Sequence, residues 1–285
     1  MSSLLAMERA AFHKALVGSV LTIDGNGVAS NADKDSRLSK EIALRIATSL
    51  SAEAVGTRLP GQSAGNRFEE VVERYLTTTF LRLSSLRTGS FQVGRLSSRT
   101  TALVTAFDQY SHLSDLANLA SSNPLLAVAL GSDYLIAPDV IVFREPEQDR
   151  FLNSALDVVD TSVAKLSPLR AANGGKNMLH ASVSCKWTLR SDRAQNAKSE
   201  ALNLVRHRKG PLPHIVAVTG EPLPSRIASL AMGTGDLNCV YHFALDELVR
   251  AVSEVQDHGS VDILNVMIDG KRLKDISDLP LDLSI

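Results

Sequence analysis

Cysteine is nearly absent from this chain. Cys185 and Cys239 are the only two and form no CxxC pair, which excludes a disulfide framework or a zinc site made of cysteine thiolates alone. Both are expected to be reduced, buried thiols. Also missing is any run of about 18 uncharged apolar residues, so the sequence contains no candidate transmembrane helix. Met1 to Phe12 sets Glu8 and Arg9 in an amphipathic pattern and lacks the apolar stretch of a signal peptide, so a cytoplasmic protein without membrane contact is expected. Charge imbalance is lacking too. A formal net charge of −1 argues against a uniformly basic surface that binds nucleic acid by charge alone. There is no internal repeat and no low-complexity segment. What remains is ordinary for a globular protein: 285 residues, 44% hydrophobic and 21% charged, enough for a sizeable core.

The first half reads as helices. Met7 to Val17 is amphipathic, Asp24-Gly25-Asn26-Gly27 is a turn, and Ser30 to Arg37 is a polar loop expected to be exposed. Helical spacing follows at Ile42, Ile46 and Leu50, and again from about Ala64 through Phe68, Val72, Tyr75 and Phe80. Leu103 to Ala120 predicts a third helix, and Asn123-Pro124 opens a fourth that ends near Gly131. From Asp133 the character changes. Strands are expected over Asp133 to Phe143, Ala181 to Leu189, His214 to Thr219, Cys239 to Phe243 and Val261 to Ile268, with helices between them at Ala194 to Arg208, Ser225 to Met232 and Leu245 to Val255. The alternation predicts an α/β core over 132–285 with a mainly helical portion, 1–131, packed on it as one domain.

The chemistry concentrates between His180 and Glu200. A strand's period of two sets Ser182, Ser184 and Lys186 on one face and Val183, Cys185 and Trp187 on the other. The turn Arg190-Ser191-Asp192-Arg193 follows, with Asp192 placed as an N-cap and Gln195 three residues on. Glu200 then lies at the edge of the helix's buried stripe and is able to point back toward the strand. Between Lys186 and Lys209 seven bases stand against two acids, a local excess that suits a polyanionic partner unless it is merely a solvated helix face.

Pro138-Asp139 interrupts the apolar run expected as a strand over Asp133 to Phe143, and makes a recognisable pair with Ser184-Cys185-Lys186 when the two strands are neighbours. Magnesium takes carboxylates, carbonyls and water and bridges to phosphate oxygens. Asp139, the peptide carbonyl of Cys185 and Glu200, the last through water, are a fitting donor set, and Lys186 is placed to stabilise negative charge on a reacting phosphate. Singly, each residue is more simply explained as a cap, a turn residue or a snorkelling lysine. Arg190, Asp192 and Arg193 suit major-groove reading of G·C pairs, because arginine pairs with guanine O6 and N7 and aspartate accepts from cytosine N4.

As a set, Pro138-Asp139, Ser184-Cys185-Lys186 and Glu200 resemble the PD…(D/E)xK nuclease core, in the variant where serine replaces the acid before the lysine and a later glutamate stands in for it. Arg190-Ser191-Asp192-Arg193, Leu59-Pro60-Gly61-Gln62, Gly65-Asn66, Phe68-Glu69 and the run from Gly270 to Leu283 extend the resemblance over nearly the whole chain, to the type II restriction endonucleases that read a CCGG core. It is weakest between Phe143 and Leu166, whose role stays open. The resemblance implies a restriction-endonuclease-like fold with a mixed central β-sheet flanked by helices. It implies catalytic roles for Asp139, Ser184, Lys186, Glu200 and Glu69, with two Mg2+ per site, and DNA contacts from Arg190, Asp192, Arg193, Gln62, Arg226 and Asp33. Lys34 and Asp35 depart from the small polar residues of the family pattern after Asp33. The implied substrate is double-stranded DNA at GCCGGC, cut after the outer guanine, by a tetramer built as a dimer of dimers. The competing expectations are a low-specificity nuclease of the same core and a DNA-binding protein that has lost cleavage.

Overall fold

The computed structural model describes residues 2–52, 61–95, 104–123, 125, 128, 137–233 and 235–285. Helices α1 (Leu4–Leu16), α2 (Arg37–Ser49) and α3 (Gly61–Thr78) come first, the first two started by serine caps: Ser3 accepts from Ala6 N and Ser36 from Ser39 N. Then come α4 (His112–Ser121), the short α5 (Asp149–Leu152), α6 (Ser191–His207), α7 (Pro224–Ala231), α8 (Leu245–Val255), α9 (His258–Asp269) and the short α10 (Leu279–Asp282).

A six-stranded mixed sheet runs in chain order: β1 (Phe91–Arg95), β2 (Val140–Arg144), β3 (Met178–Lys186), β4 (His214–Thr219), β5 (Cys239–His242) and β6 (Leu273–Asp275). β1, β2 and β3 pair antiparallel; β3 to β6 are parallel. Parallel neighbours require crossovers, which α6, α7 and the α8–α9 pair supply. The central strands are buried almost continuously, Ala181 to Cys185 of β3 and Ile215 to Thr219 of β4, because both faces are covered. On one face α3 brings Phe68 against Trp187, ring centroids 5.1 Å apart. On the other, Ala197, Ala201 and Leu204 of α6 lie over Ser182 and Ser184. The buried core extends from Phe12 to Leu283. No helix among the described residues is long and apolar enough to cross a membrane.

Several expectations need correction. Val261 to Ile268 is helix α9: Asp257 caps it by accepting from Ser260 N at 2.9 Å, and Leu264 and Met267 bury at helical spacing, which outweighs the β-branched residues around them. The long helix from Leu103 is two 3-10 turns, Val104–Ala106 and Asp108–Tyr110, followed by α4. Tertiary bonding explains the break: the amide of Gln109 donates to Leu179 O and accepts from Leu179 N on β3. Ser30, Asn31 and Ala32 are buried rather than exposed. Asp192 is not an N-cap; the helix begins one residue earlier, after Arg190, and no side chain caps it. α3 begins at Gly61, ahead of Ala64. The strand expected from Asp133 starts at Val140, and 133–136, most of the helix expected over 123–131, and Leu59-Pro60 lie outside the described residues.

Candidate active site

Register sets the centre. Val140 pairs with Val183, so Asp139, one residue before the strand, falls beside Ser184 and Cys185. Its Oδ2 accepts from Cys185 N at 2.7 Å and from Lys186 Nζ at 2.9 Å, and Oδ1 has no protein donor among the described residues. Burial pushes the Lys186 ammonium down, but the charge of Asp139, its hydrogen bond and the charge of Glu200 together outweigh burial and hold the group above its ordinary range. Burial lifts Glu69 to about 7, helped by the charge of Asp139 and opposed by Lys186 and Arg95. Glu200 is also raised, first by burial, with Lys186 opposing and Asp139 reinforcing. Three acids therefore share one lysine in a poorly solvated place, and burial together with their mutual repulsion raises Glu69 and Glu200.

A cleft of about 370 Å³ opens over this centre, lined by Gln62, Glu69, Lys186, Arg190, Arg193 and Glu200 among others. Ser184 faces away from it, toward α6. Its Oγ is buried with no protein partner among the described residues, and it borders a space of about 10 Å³ shared with Glu200 and Pro138. Cys185 is a buried free thiol, pushed well above its ordinary range by burial.

A second cleft, of about 490 Å³, holds Asp33, Asp35, Leu189, Arg190, Arg226 and Ser229. Arg190 lines both clefts and joins them. Arg226 is ion-paired with Asp33 and donates to Leu189 O at 3.3 Å. The Arg226 partner and the backbone N–H of Asp35 hold the Asp33 carboxyl below its ordinary range, the N–H bond having the larger effect. Arg193 donates to Thr188 Oγ1 at 3.0 Å. Asp192 is exposed on the first turn of α6 and lines neither cleft.

Asp139, Lys186, Glu200 and Glu69 thus converge, Gln62, Arg190 and Arg193 stand at the rim of the same cleft, Asp33 and Arg226 form a neighbouring pair, and Ser184 and Asp192 lie apart. Two residues escaped the sequence reading. Arg95 on β1 pairs with Glu73 at 3.0 Å and with Glu70 at 3.4 Å, beside Glu69. No sequence signal marked that strand, which is short and half-exposed. Glu221 is fully buried, accepting from Leu189 N at 2.8 Å and Leu223 N at 3.2 Å, and burial lifts it to about 7. Its position just past β4, at the carboxyl end of a parallel strand where sites collect, was an available signal.

The donor set fits a hard divalent cation in one respect and constrains it in another. Among the described residues Asp139 Oδ1 and Ser184 Oγ lack a donor, and burial, with the charge of Asp139, raises the surrounding carboxyls. Yet among the described residues no three His, Cys, Asp or Glu side chains form a group that holds a metal ion. The remaining donors must be carbonyl, water and substrate oxygens, the pattern magnesium tolerates best.

Comparison with known proteins shows the family. The profile of the NgoMIV restriction enzyme family matches residues 12–285. The chain is 50% identical over 286 residues to the type II restriction enzyme NgoMIV of Neisseria gonorrhoeae, covering 100% of both. Among solved structures, the type IIF restriction endonuclease Bse634I with cognate DNA aligns over 96% of this chain and 92% of that one, at 16% identity and a TM-score of 0.38.

Proposed function

The chain belongs to the NgoMIV restriction enzyme family and is a type II site-specific deoxyribonuclease, and from that premise we propose that it hydrolyses both strands of double-stranded DNA at GCCGGC, with Mg2+, cutting after the outer guanine. The observation that carries the catalytic part is Asp139 bonded at once to Cys185 N and Lys186 Nζ, with Lys186 lining a cleft shared with Glu69 and Glu200.

Asp139, the Cys185 carbonyl and, through water, Glu200 would hold magnesium, two ions per site, and Ser184 Oγ would be available to a bound water. When bound, magnesium supplies a more acidic water and neutralises charge that builds on the phosphate. Lys186, kept charged by Asp139, faces the reacting phosphate and stabilises that same charge. Glu69, half-protonated near neutral pH, is a reserve acid that is free to ionise when cations enter.

Arg190 and Arg193 at the rim read guanines of the inner CCGG, and Asp192, whose exposed carboxylate is not engaged in capping, accepts from cytosine. Asp33 and Arg226, paired in the free protein, and Gln62 serve the outer pair. A palindrome is read by a two-fold dimer, and two dimers form the tetramer. The 1–285 chain works as one domain, in the cytoplasm.

Incubation of plasmid DNA with the protein and magnesium, followed by end-sequencing, tests this. Discrete fragments ending at GCCGGC, lost on adding a chelator, are expected. A smear indicates a low-specificity nuclease, and binding without cleavage a regulator.

A further inference from the structure

Glu221 is a carboxyl with no exposure, and such a group needs a reason to be where it is. Its two oxygens serve two segments. Oε2 accepts from Leu189 N, the amide just before Arg190, and Oε1 accepts from Leu223 N, the residue that precedes helix α7 and Arg226. The backbone around it is tied as well. Gly220 N and Thr219 Oγ1 both donate to Lys186 O, at 3.2 and 2.8 Å, Thr219 Oγ1 accepts from Glu221 N at 3.1 Å, and Asn31 Nδ2 donates to Gly220 O at 2.7 Å. Asn31 stands two residues from Asp33. One short segment after β4 therefore touches the catalytic strand, the turn bearing Arg190 and Arg193, the helix bearing Arg226 and the loop bearing Asp33.

We propose that Glu221 is a positioning residue for sequence reading, holding the inner-pair turn and the outer-pair helix in one fixed register. The inference rests on the reading of Arg190, Arg193 and Arg226 as base contacts. A carboxylate suits the task because it only accepts, so both oxygens serve backbone N–H groups at once. Glutamine, of equal volume, has one acceptor and turns an NH2 toward the other N–H. Arg226 reinforces the link: its Nη1 donates to Leu189 O and lies 4.0 Å from Glu221 Oε2.

The test compares the full-length protein with Glu221→Gln, Arg190→Ala and Arg226→Ala on GCCGGC duplexes and on duplexes substituted at one inner or one outer pair. Single-turnover cleavage, equilibrium binding at fixed salt and thermal unfolding are measured for each. The expectation is that Glu221→Gln lowers the cognate-to-substituted ratio at both positions, by at least about fivefold, the lower end for loss of one good base contact. Arg190→Ala should lower it at the inner pair and Arg226→Ala at the outer. Should the Gln variant not fold, Glu221→Asp, which keeps the acceptors but shortens the reach, carries the same measurement with the same expected loss. Unchanged ratios, or a loss at one position only, while the arginine variants lose theirs, overturn the inference alone. Unchanged ratios in the arginine variants overturn it together with the reading beneath it.

Discussion

Among the described residues Asp139 accepts two hydrogen bonds, both on one oxygen, so replacing it removes the counterion of Lys186 and, on the proposed function, a metal anchor and a negative charge beside the phosphates. Asp139→Ala should abolish cleavage while cognate binding holds or tightens; a gel-shift titration paired with a cleavage assay checks this, and normal cleavage would remove Asp139 from the site. Lys186→Ala should slow single-turnover cleavage by about 10²- to 10³-fold, the size seen when one positioned electrostatic group is lost. Asp192→Asn separates structure from reading. Because its side chain caps nothing, stability should stay within about 0.5 kcal/mol, while discrimination against a substituted inner pair falls by about 1–3 kcal/mol. Unfolding curves and binding to paired duplexes measure the two effects, and a stability loss with unchanged discrimination would return Asp192 to a structural role.

Elements carry a second layer of dependence. Trp187, the sole tryptophan, packs on Phe68 of α3 and on Phe243, and Gly220 passes against its ring. A Cβ at position 220 would lie 2.5 Å from the ring and 2.9 Å from the Trp187 backbone oxygen, an approach in which the backbone cannot yield cheaply. Gly220→Ala should therefore destabilise by about 1–3 kcal/mol, the usual cost of overpacking, and shift Trp187 fluorescence as the ring is displaced. Urea titration followed by that fluorescence gives both readings; an unchanged midpoint and spectrum would mean that the ends of β3 and β4 are not held as tightly as this approach implies.

Across the whole molecule, the ends of the chain are joined by charge. Arg9 of α1 bonds Asp275 of β6 and Glu247 of α8, in a largely buried triad. Burial pushes Asp275 up, but its bonds to Arg9 and Ser277 outweigh that and hold the carboxyl at about 2, below its ordinary 3.8. A carboxyl depressed in the folded state stabilises fully above its unfolded value, and that contribution is lost as pH falls from about 4 toward 2. Asp275→Asn should lower stability at pH 7 by on the order of 2 kcal/mol and flatten the acid limb in that window. Denaturation midpoints measured from pH 7 downward test it, and parallel curves for the two proteins would count against the linkage.

The sequence by itself determined the α/β class, the strands at β3, β4 and β5, the helices at α1, α2 and α8, and which residues were worth watching, because apolar period, caps and motif spacing act over a few residues. Lys186 and Glu200 lie on one strand and the helix that follows it, so their closeness was legible locally. Only the tertiary structure decided that Asp139, 45 or more positions away in the chain, meets Cys185 and Lys186 across the β2–β3 register. It also decided that Asp33 and Arg226 are paired and that Glu221 bonds both the segment before Arg190 and the segment before Arg226. Helix α9 went unread because its β-branched, apolar run satisfies either period until a cap and a packing partner choose. β1 is half-exposed and contains Gly94, β6 has three residues, and each is an edge strand paired on one side only, so neither carries a clear apolar pattern.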